Sequence, residues 1–248
     1  MDQQAYDTQG LPDDEARHPM YQPSVVVPAL DLLERLAGDG PALEFGVGTG
    51  RLAIPLARRG IAVHGIDISA EAIDRMRAKL GGEAVGVTRG DYTTTRVEGR
   101  FSLVYLVFNT IMNVTTQGGQ VDAFRNAAAH LMPGGRFLIE VMVPDLRRLP
   151  PGQTLVPFRA DATGFGIDEY DTVSQGLVSH HIDLGDGSPR YSSGPFRYVW
   201  PAELDLMARI AGLRLEDRWA GWRQEPFGPE SGSHVSVWVK VSEPAAGP

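Results

Sequence analysis

The stretch Ala42-Leu43-Glu44-Phe45-Gly46-Val47-Gly48-Thr49-Gly50-Arg51 decides the fold of this chain. A short apolar run ends at Phe45, and glycine then occupies every second position of a turn. Glycine has no Cβ, so Gly46, Gly48 and Gly50 can take positive φ and let a ligand approach the main chain closely. The stretch therefore predicts a buried strand that runs into a ligand-binding loop.

The acid before the loop narrows the choice of ligand. A dinucleotide-binding fingerprint, G-x-G-x-x-G, needs its third glycine at position 51, where this chain has Arg51. Glu44 lies two residues before the first glycine, and a carboxylate there suits a cationic ligand better than the pyrophosphate of NAD. The pattern favours a positively charged ligand and leaves a nicotinamide-dependent oxidoreductase as a less favoured alternative.

Two later segments repeat this arrangement of an apolar run that ends in an acid. Residues 61–67 are mostly apolar and end at Asp67, and the motif Gly90-Asp91-Tyr92 follows an apolar run at 84–87. The carboxyl ends of parallel strands meet at one edge of a sheet, where ligands bind. The sequence therefore predicts that Glu44, Asp67 and Asp91 surround a single site.

With these motifs at these offsets, the sequence resembles the class I S-adenosylmethionine-dependent methyltransferases over roughly residues 25–240. The resemblance implies a three-layer, Rossmann-like α/β fold with a seven-stranded sheet. It also implies S-adenosylmethionine as cofactor and S-adenosylhomocysteine as product, with the ribose on Asp67 and the adenine near Asp91. The expected cofactor-binding residues are Glu44, Phe45, Gly46, Gly48, Gly50, Arg51, Asp67, Ile68, Asp91, Tyr92 and Phe108.

The remaining segments divide the chain into further parts. Residues 1–20 are polar and acidic, which predicts a flexible N-terminal arm, and residues 21–143 form the cofactor-binding core, with a helix over 121–131 and a fifth strand over 136–143. Period-two segments in residues 144–200 predict a small antiparallel β insertion of about three strands after strand five. Residues 201–241 supply the last helix and two strands of the core, and residues 242–248 form a disordered tail.

Composition excludes several kinds of chemistry. The 248 residues contain no cysteine, so no thiolate nucleophile, iron–sulfur cluster or thiolate zinc site is available. The net charge of −8 disfavours a nucleic-acid substrate, because such a surface repels phosphate backbones. No apolar run approaches the roughly 18 residues of a membrane span and no signal pattern is visible, so we expect a cytoplasmic protein without a membrane partner.

The candidate catalytic residues lie outside the cofactor motifs. Asn109 follows the predicted fourth strand, where the family places reacting groups, and the segment offers no carboxylate cluster, so no metal is expected. His180 and His181 are adjacent on a predicted strand and must face opposite sides, so only one of them can reach a pocket as a base. Tyr21 precedes the first core helix and is expected to act as part of a lid.

The sequence predicts a methyltransferase that moves a methyl group to an N or O atom of a small molecule, such as a natural product or amino sugar. The layout of short arm and β insertion is similar to that of sugar N,N-dimethyltransferases. We expect substrate choice to lie in the arm, at Asn109 and in the insertion. A non-catalytic or pericyclase-like protein that retains S-adenosylmethionine stays open as an alternative, and the sequence gives no oligomeric state.

Overall fold

Parallel strands form the centre of the molecule. The computed structural model describes Glu15, residues 19–185 and residues 188–241. The main sheet consists of β1 (Ala42–Phe45), β2 (Val63–Asp67), β3 (Gly86–Arg89), β4 (Phe101–Leu106), β5 (Leu131–Met142), β10 (Leu213–Trp219) and β11 (Ser233–Lys240). Their order is β10-β11-β5-β4-β1-β2-β3. The five strands from β5 to β3 in this order run parallel, and β11 pairs antiparallel with both β5 and β10.

Helices cover both faces of this sheet and make three layers. The helices are α1 (Pro23–Ala37), α2 (Ala53–Arg58), α3 (Ala70–Arg77), α4 (Gln117–His130) and α5 (Pro201–Ile210), with 3₁₀ turns at Pro19–Tyr21, Gly82–Ala84, Thr110–Asn113 and Leu146–Arg148. One core cluster joins α4 and α5 to Leu43 and Phe45, while the other joins α1 and α2 to Ala42 and Leu103. Successive side chains along each strand point to opposite faces of the sheet, so they pack into two separate core clusters. Among the described residues, no helix is long and apolar enough to cross a membrane.

The segment after β5 forms a separate antiparallel sheet. Its strands are β6 (Leu155–Asp161), β7 (Gly164–Asp171), β8 (Gly176–Asp183) and β9 (Arg190–Arg197), paired in that order. Tyr170, Leu177 and Tyr198 are buried and belong to the same apolar cluster as α4 and α5. The predicted fold, a seven-stranded methyltransferase-like sheet with a small antiparallel insertion, is confirmed, and the insertion has four strands instead of about three.

Two predicted boundaries in the core are wrong by several residues. Helix α4 begins at Gln117 and not at position 121, because the Thr116 hydroxyl accepts a hydrogen bond from Gly119 N at 3.1 Å and caps the helix there. Strand β5 begins at Leu131, which pairs with Phe101, and continues through the predicted turn before position 136. Of the predicted flexible arm, residues 1–14 and 16–18 lie outside the described residues, as does the tail 242–248.

Strand β2 approaches the glycine loop so closely that position 65 accepts no side chain. A Cβ built on Gly65 would lie 2.5 Å from Cβ of Val47, which belongs to the loop itself. This contact sets the distance between β2 and the loop, and with it the position of Asp67 two residues further along β2.

We predict that Gly65→Ala lowers the free energy of unfolding by about 1–3 kcal/mol, the usual cost of overpacking a core. The matched control is Gly118→Ala in the first turn of α4, where a Cβ meets no atom within 4 Å and alanine favours the helix. Urea unfolding of both variants checks the prediction. Equal stability of the two alanine variants would contradict it.

Candidate functional site

The three glycines of the loop after β1 all have positive φ, at 71° for Gly46, 53° for Gly48 and 79° for Gly50. They differ in what surrounds them. A Cβ on Gly46 would lie 2.7 Å from Thr110, and one on Gly50 would lie 2.7 Å from Met76, so both are needed for packing. A Cβ on Gly48 would meet no atom within 4 Å. Gly48 is therefore where the loop presents bare backbone to open space.

Asp67 connects this loop to the start of α3. Its Oδ2 accepts a hydrogen bond from Gly48 N at 2.7 Å, and its Oδ1 accepts one from Ser69 N at 2.9 Å. Ser69 in turn caps α3 by accepting from Ala72 N at 3.1 Å. One carboxylate at the end of β2 thus fixes two backbone segments that border the same cleft.

A first cavity of about 430 Å³ lies beside the loop. Its lining residues come from the loop, the end of β4 and the described N-terminal residues: Glu15, Met20, Tyr21, Glu44, Gly46, Val47, Gly48, Thr49, Arg51, Arg75, Val107, Phe108 and Thr110. The lining brings two acids, Glu15 and Glu44, two arginines, Arg51 and Arg75, and the bare backbone of Gly48 close together.

Glu44 is a buried acid that lines the first cavity. Its Oε2 accepts a hydrogen bond from the Tyr105 hydroxyl at 2.9 Å, and burial raises the pKa of the carboxyl to about 8, although Tyr105 and Arg51 oppose that shift. The Arg51 guanidinium lies 5.6 Å from the centre of the Phe108 ring. A cation entering this cavity would meet a carboxyl group whose ionisation it stabilises.

Tyr21 and Glu15 lie against the outer side of the glycine loop. The Tyr21 hydroxyl shares a hydrogen bond of 2.8 Å with Thr49 Oγ1. Glu15 is buried and forms ion pairs with Arg75, at 3.1 Å, and with Lys79, whose ammonium also donates to the Thr49 carbonyl. Glu15, within the predicted arm, and Tyr21, directly after it, therefore both line the first cavity.

A second cavity of about 530 Å³ adjoins the first, and Gly46 and Thr110 line both of them. Its other lining residues are Asp67, Ile68, Gly90, Asp91, Tyr92, Thr93, Asn113, Val114, Thr115, Thr116 and Gly119. The Tyr92 ring stacks on Phe45 with centroids 5.6 Å apart, and its hydroxyl donates to the Thr110 carbonyl at 2.8 Å. The two cavities together form an elongated cleft along the carboxyl edge of β1, β2 and β4.

The chain turns sharply where β4 ends. Phe108 and Asn109 have φ of 57° and 58°, in the left-handed region that residues other than glycine seldom adopt. Phe108 N donates to Oε2 of Glu140 at 2.5 Å, and Oδ1 of Asn109 accepts from Met142 N at 2.7 Å. The Asn109 side chain thus ties the turn to β5, and it lines neither cavity of the cleft.

The two histidines of the insertion also lie outside the cleft. His180 faces one side of β8, with its Nδ1 2.7 Å from the Tyr191 hydroxyl, and His181 faces the other, with its Nε2 3.2 Å from Ser179 Oγ. The opposite orientations are those the sequence predicts. Neither histidine lines the cleft, so neither is placed to act as a base beside the glycine loop.

Most of the residues expected to bind the cofactor are brought together, and a few are not. The cleft is lined by Glu44, Gly46, Gly48, Arg51, Asp67, Ile68, Asp91, Tyr92 and Phe108. Phe45 is buried behind Tyr92, and Gly50 packs on Ile54 and Met76. Sequence reasoning missed Thr110 and Glu140, although Glu140 follows the same pattern of an acid near a strand end.

Comparison with known proteins identifies the family. Residues 42–135 match a family model described as a methyltransferase domain. The CcbJ methyltransferase from Streptomyces caelestis is 34% identical in sequence, and its structure aligns over 98% of this chain and 100% of its own with a TM-score of 0.80.

Two curated relatives support the same family. The cypemycin N-terminal methyltransferase of a Streptomyces species is 28% identical over 192 residues, covering 75% of this chain and 77% of the relative. A ubiquinone biosynthesis O-methyltransferase of Xylella fastidiosa is 31% identical over 188 residues, 75% of this chain and 65% of the relative. These matches favour a methyltransferase over the oxidoreductase and the non-catalytic protein that the sequence leaves open. The chain belongs to the S-adenosylmethionine-dependent methyltransferases.

Proposed function

We propose that this enzyme methylates a nitrogen atom of a small-molecule amine, with S-adenosylmethionine lying along the cleft from the first cavity into the second. The observation that carries the proposal is that two neighbouring cavities share Gly46 and Thr110, with Glu44 lining the first and Asp67 and Asp91 lining the second. Each of the two cavities is lined by at least one carboxylate side chain. Such a site suits a cofactor that has an amino-acid group at one end and a nucleoside at the other.

In this arrangement the first cavity takes the methionine part of the cofactor. Glu44 binds the α-ammonium group, and Arg51 binds the α-carboxylate. The Phe108 ring, which is half-exposed and lies under the Arg51 guanidinium, borders the sulfonium and its methyl group. Tyr21 closes this end from the side of the glycine loop.

The second cavity takes the adenosine part. A carboxylate offers about four lone-pair directions, and the two backbone N–H groups on Asp67 use one on each oxygen. Each oxygen therefore keeps one direction for a ribose hydroxyl. Asp91 and Tyr92 border the adenine, and Ile68, which is largely exposed beside them, covers one face of the ring.

The reaction is an in-line displacement. The lone pair of the neutral amine would form a bond to the methyl carbon while the carbon–sulfur bond breaks and its electron pair stays on the sulfur of S-adenosylhomocysteine. The methylated ammonium ion would then release its proton to water. Alignment of donor and acceptor supplies roughly 7–11 kcal/mol of such a barrier. A neutral amine needs no base before attack.

Two observations bear on the acceptor atom. The relative named as an N-terminal methyltransferase of cypemycin supports nitrogen. The relative named as a ubiquinone biosynthesis O-methyltransferase supports oxygen as the second candidate. We favour nitrogen because the cypemycin enzyme aligns over the larger share of its own length.

We predict that the enzyme converts S-adenosylmethionine to S-adenosylhomocysteine with amino sugars or peptides bearing a free N-terminal amine, and not with phenols of similar size. The measurement is product formation across a panel of primary and secondary amines paired with the matching hydroxyl compounds. Turnover of the hydroxyl compounds alone would overturn the choice of nitrogen and leave the methyltransferase activity intact.

A second prediction tests the open space at Gly48. Gly48→Val should weaken cofactor binding about 100-fold or more, because the branched side chain fills space that the cofactor needs at a cost near 3 kcal/mol. Gly48→Ala carries the same backbone strain at positive φ with a smaller side chain and is the matched control. Calorimetric titration with S-adenosylhomocysteine compares the two, and equal affinities would refute the placement.

A third prediction concerns the protonation of Glu44. Because burial raises its pKa to about 8, the carboxyl is mostly protonated at pH 7, and an ammonium group bound beside it lowers that pKa and expels the proton. Binding at pH 7 should therefore release close to one proton, and the release should fall as the pH rises above 8. Titrations in buffers of different ionisation enthalpy measure it, and Glu44→Gln should abolish it.

A further inference from the structure

A third cavity of about 430 Å³ lies beyond the turn at the end of β4, between the end of β5 and the insertion sheet. Met142 lines the third cavity, and its backbone N–H donates a hydrogen bond to Asn109. Phe108, the residue directly before Asn109, lines the first cavity. The hydrogen bond between Met142 and Asn109 therefore places one wall of the third cavity next to the turn of β4, which also borders the first cavity. The other lining residues are Val143, Pro144, Asp145, Arg147, Arg148, Val156, Phe158, Asp168, Tyr170, Glu230, Ser231 and Gly232.

The inner face of the insertion supplies one wall of this cavity. Along β7, Tyr170 packs into the core, and Asp168, two residues earlier on the same face, lines the cavity. Asp168 pairs across the ladder with Ser179, and the Ser179 hydroxyl donates a hydrogen bond to its carboxylate. His181 Nε2 lies 3.2 Å from the same hydroxyl. The carboxylate is therefore held in place from within the sheet.

Some of the charged side chains that line this cavity form ion pairs with each other, and one carboxylate does not. Arg147 pairs with Glu230 at 2.9 Å, and Arg148 pairs with Asp145 at 3.4 Å. Within the described part of the chain, no arginine or lysine forms an ion pair with Asp168. The half-buried Asp168 carboxylate is thus the acid of this cavity that a ligand can neutralise.

We propose that this third cavity binds the methyl acceptor and that Asp168 selects acceptors carrying an ammonium group or an amine N–H. The inference rests on the proposed N-methyltransferase function, which it deepens by naming the group that recognises the amine. A neutral acceptor of the same shape would leave the Asp168 carboxylate desolvated without a charged partner, which costs affinity.

The first test changes the charge of the cavity. Asp168→Asn should raise the KM of the amine that the panel identifies by about 10- to 100-fold, the usual loss for a charged hydrogen bond, without changing the affinity for S-adenosylhomocysteine. Glu169→Gln is the matched control, because Glu169 is the next residue on β7 and faces the opposite side, near His180. Equal KM values for the two variants would overturn the role of Asp168.

The second test fills the cavity without touching its charge. Gly232 lines the cavity, and a Cβ there meets no atom within 4 Å, so Gly232→Leu should fold and raise the acceptor KM while cofactor affinity stays unchanged. Gly228→Leu is the control, since Gly228 has the same open surroundings in the same loop and does not line the cavity. Loss of cofactor affinity in Gly232→Leu would show that the third cavity belongs to the cofactor site.

These outcomes separate this inference from the proposed function. If the wild-type enzyme methylates amines and neither Asp168→Asn nor Gly232→Leu changes their KM, the assignment of the third cavity is wrong and N-methylation stands. If the wild-type enzyme methylates only hydroxyl compounds and Gly232→Leu raises their KM, N-methylation is wrong and the cavity still binds the acceptor. In that second case the selection of amines by Asp168 is overturned as well.

Discussion

The hydrogen bonds of the Asp67 carboxylate hold the cleft in shape. One oxygen fixes the glycine loop through Gly48 and the other fixes the start of α3 through Ser69, so two backbone segments are positioned from a single point at the end of β2. This arrangement is possible because Gly65 lets β2 lie directly against Val47. The same carboxylate therefore both holds the cleft in shape and is the group proposed to bind the ribose of S-adenosylmethionine.

The features that the sequence predicts correctly are those with a local physical cause. Glycines at alternate positions can be recognised as a ligand loop because each one removes a Cβ, and acids that follow apolar runs reach one edge because parallel strands end there. Glu44, Asp67 and Asp91 accordingly line one cleft. The insertion is visible as period-two segments, although β6 and β7 are too interrupted by glycine and charged residues to be counted separately.

The features that the sequence does not predict depend on contacts distant in the chain. Asn109 is a reasonable candidate for the reaction by position, yet the amide N–H of Met142, 33 residues further on, occupies its side-chain oxygen. His180 and His181 are correctly placed on opposite faces of a strand, but only the packing of the insertion shows that neither lines the cleft. The start of α4 at Gln117 was missed because two glycines obscured the cap at Thr116.

The left-handed backbone at Phe108 and Asn109 has a consequence for how the enzyme can change over evolutionary time. Two consecutive residues in this conformation without glycine store about 1–3 kcal/mol each, and the contacts with Glu140 and Met142 offset that strain. Glycine at either position would relieve the strain and loosen the joint between β4 and β5. These contacts hold the joint between β4 and β5 rigid, so the insertion can accumulate substitutions while the residues that line the first cavity keep their positions.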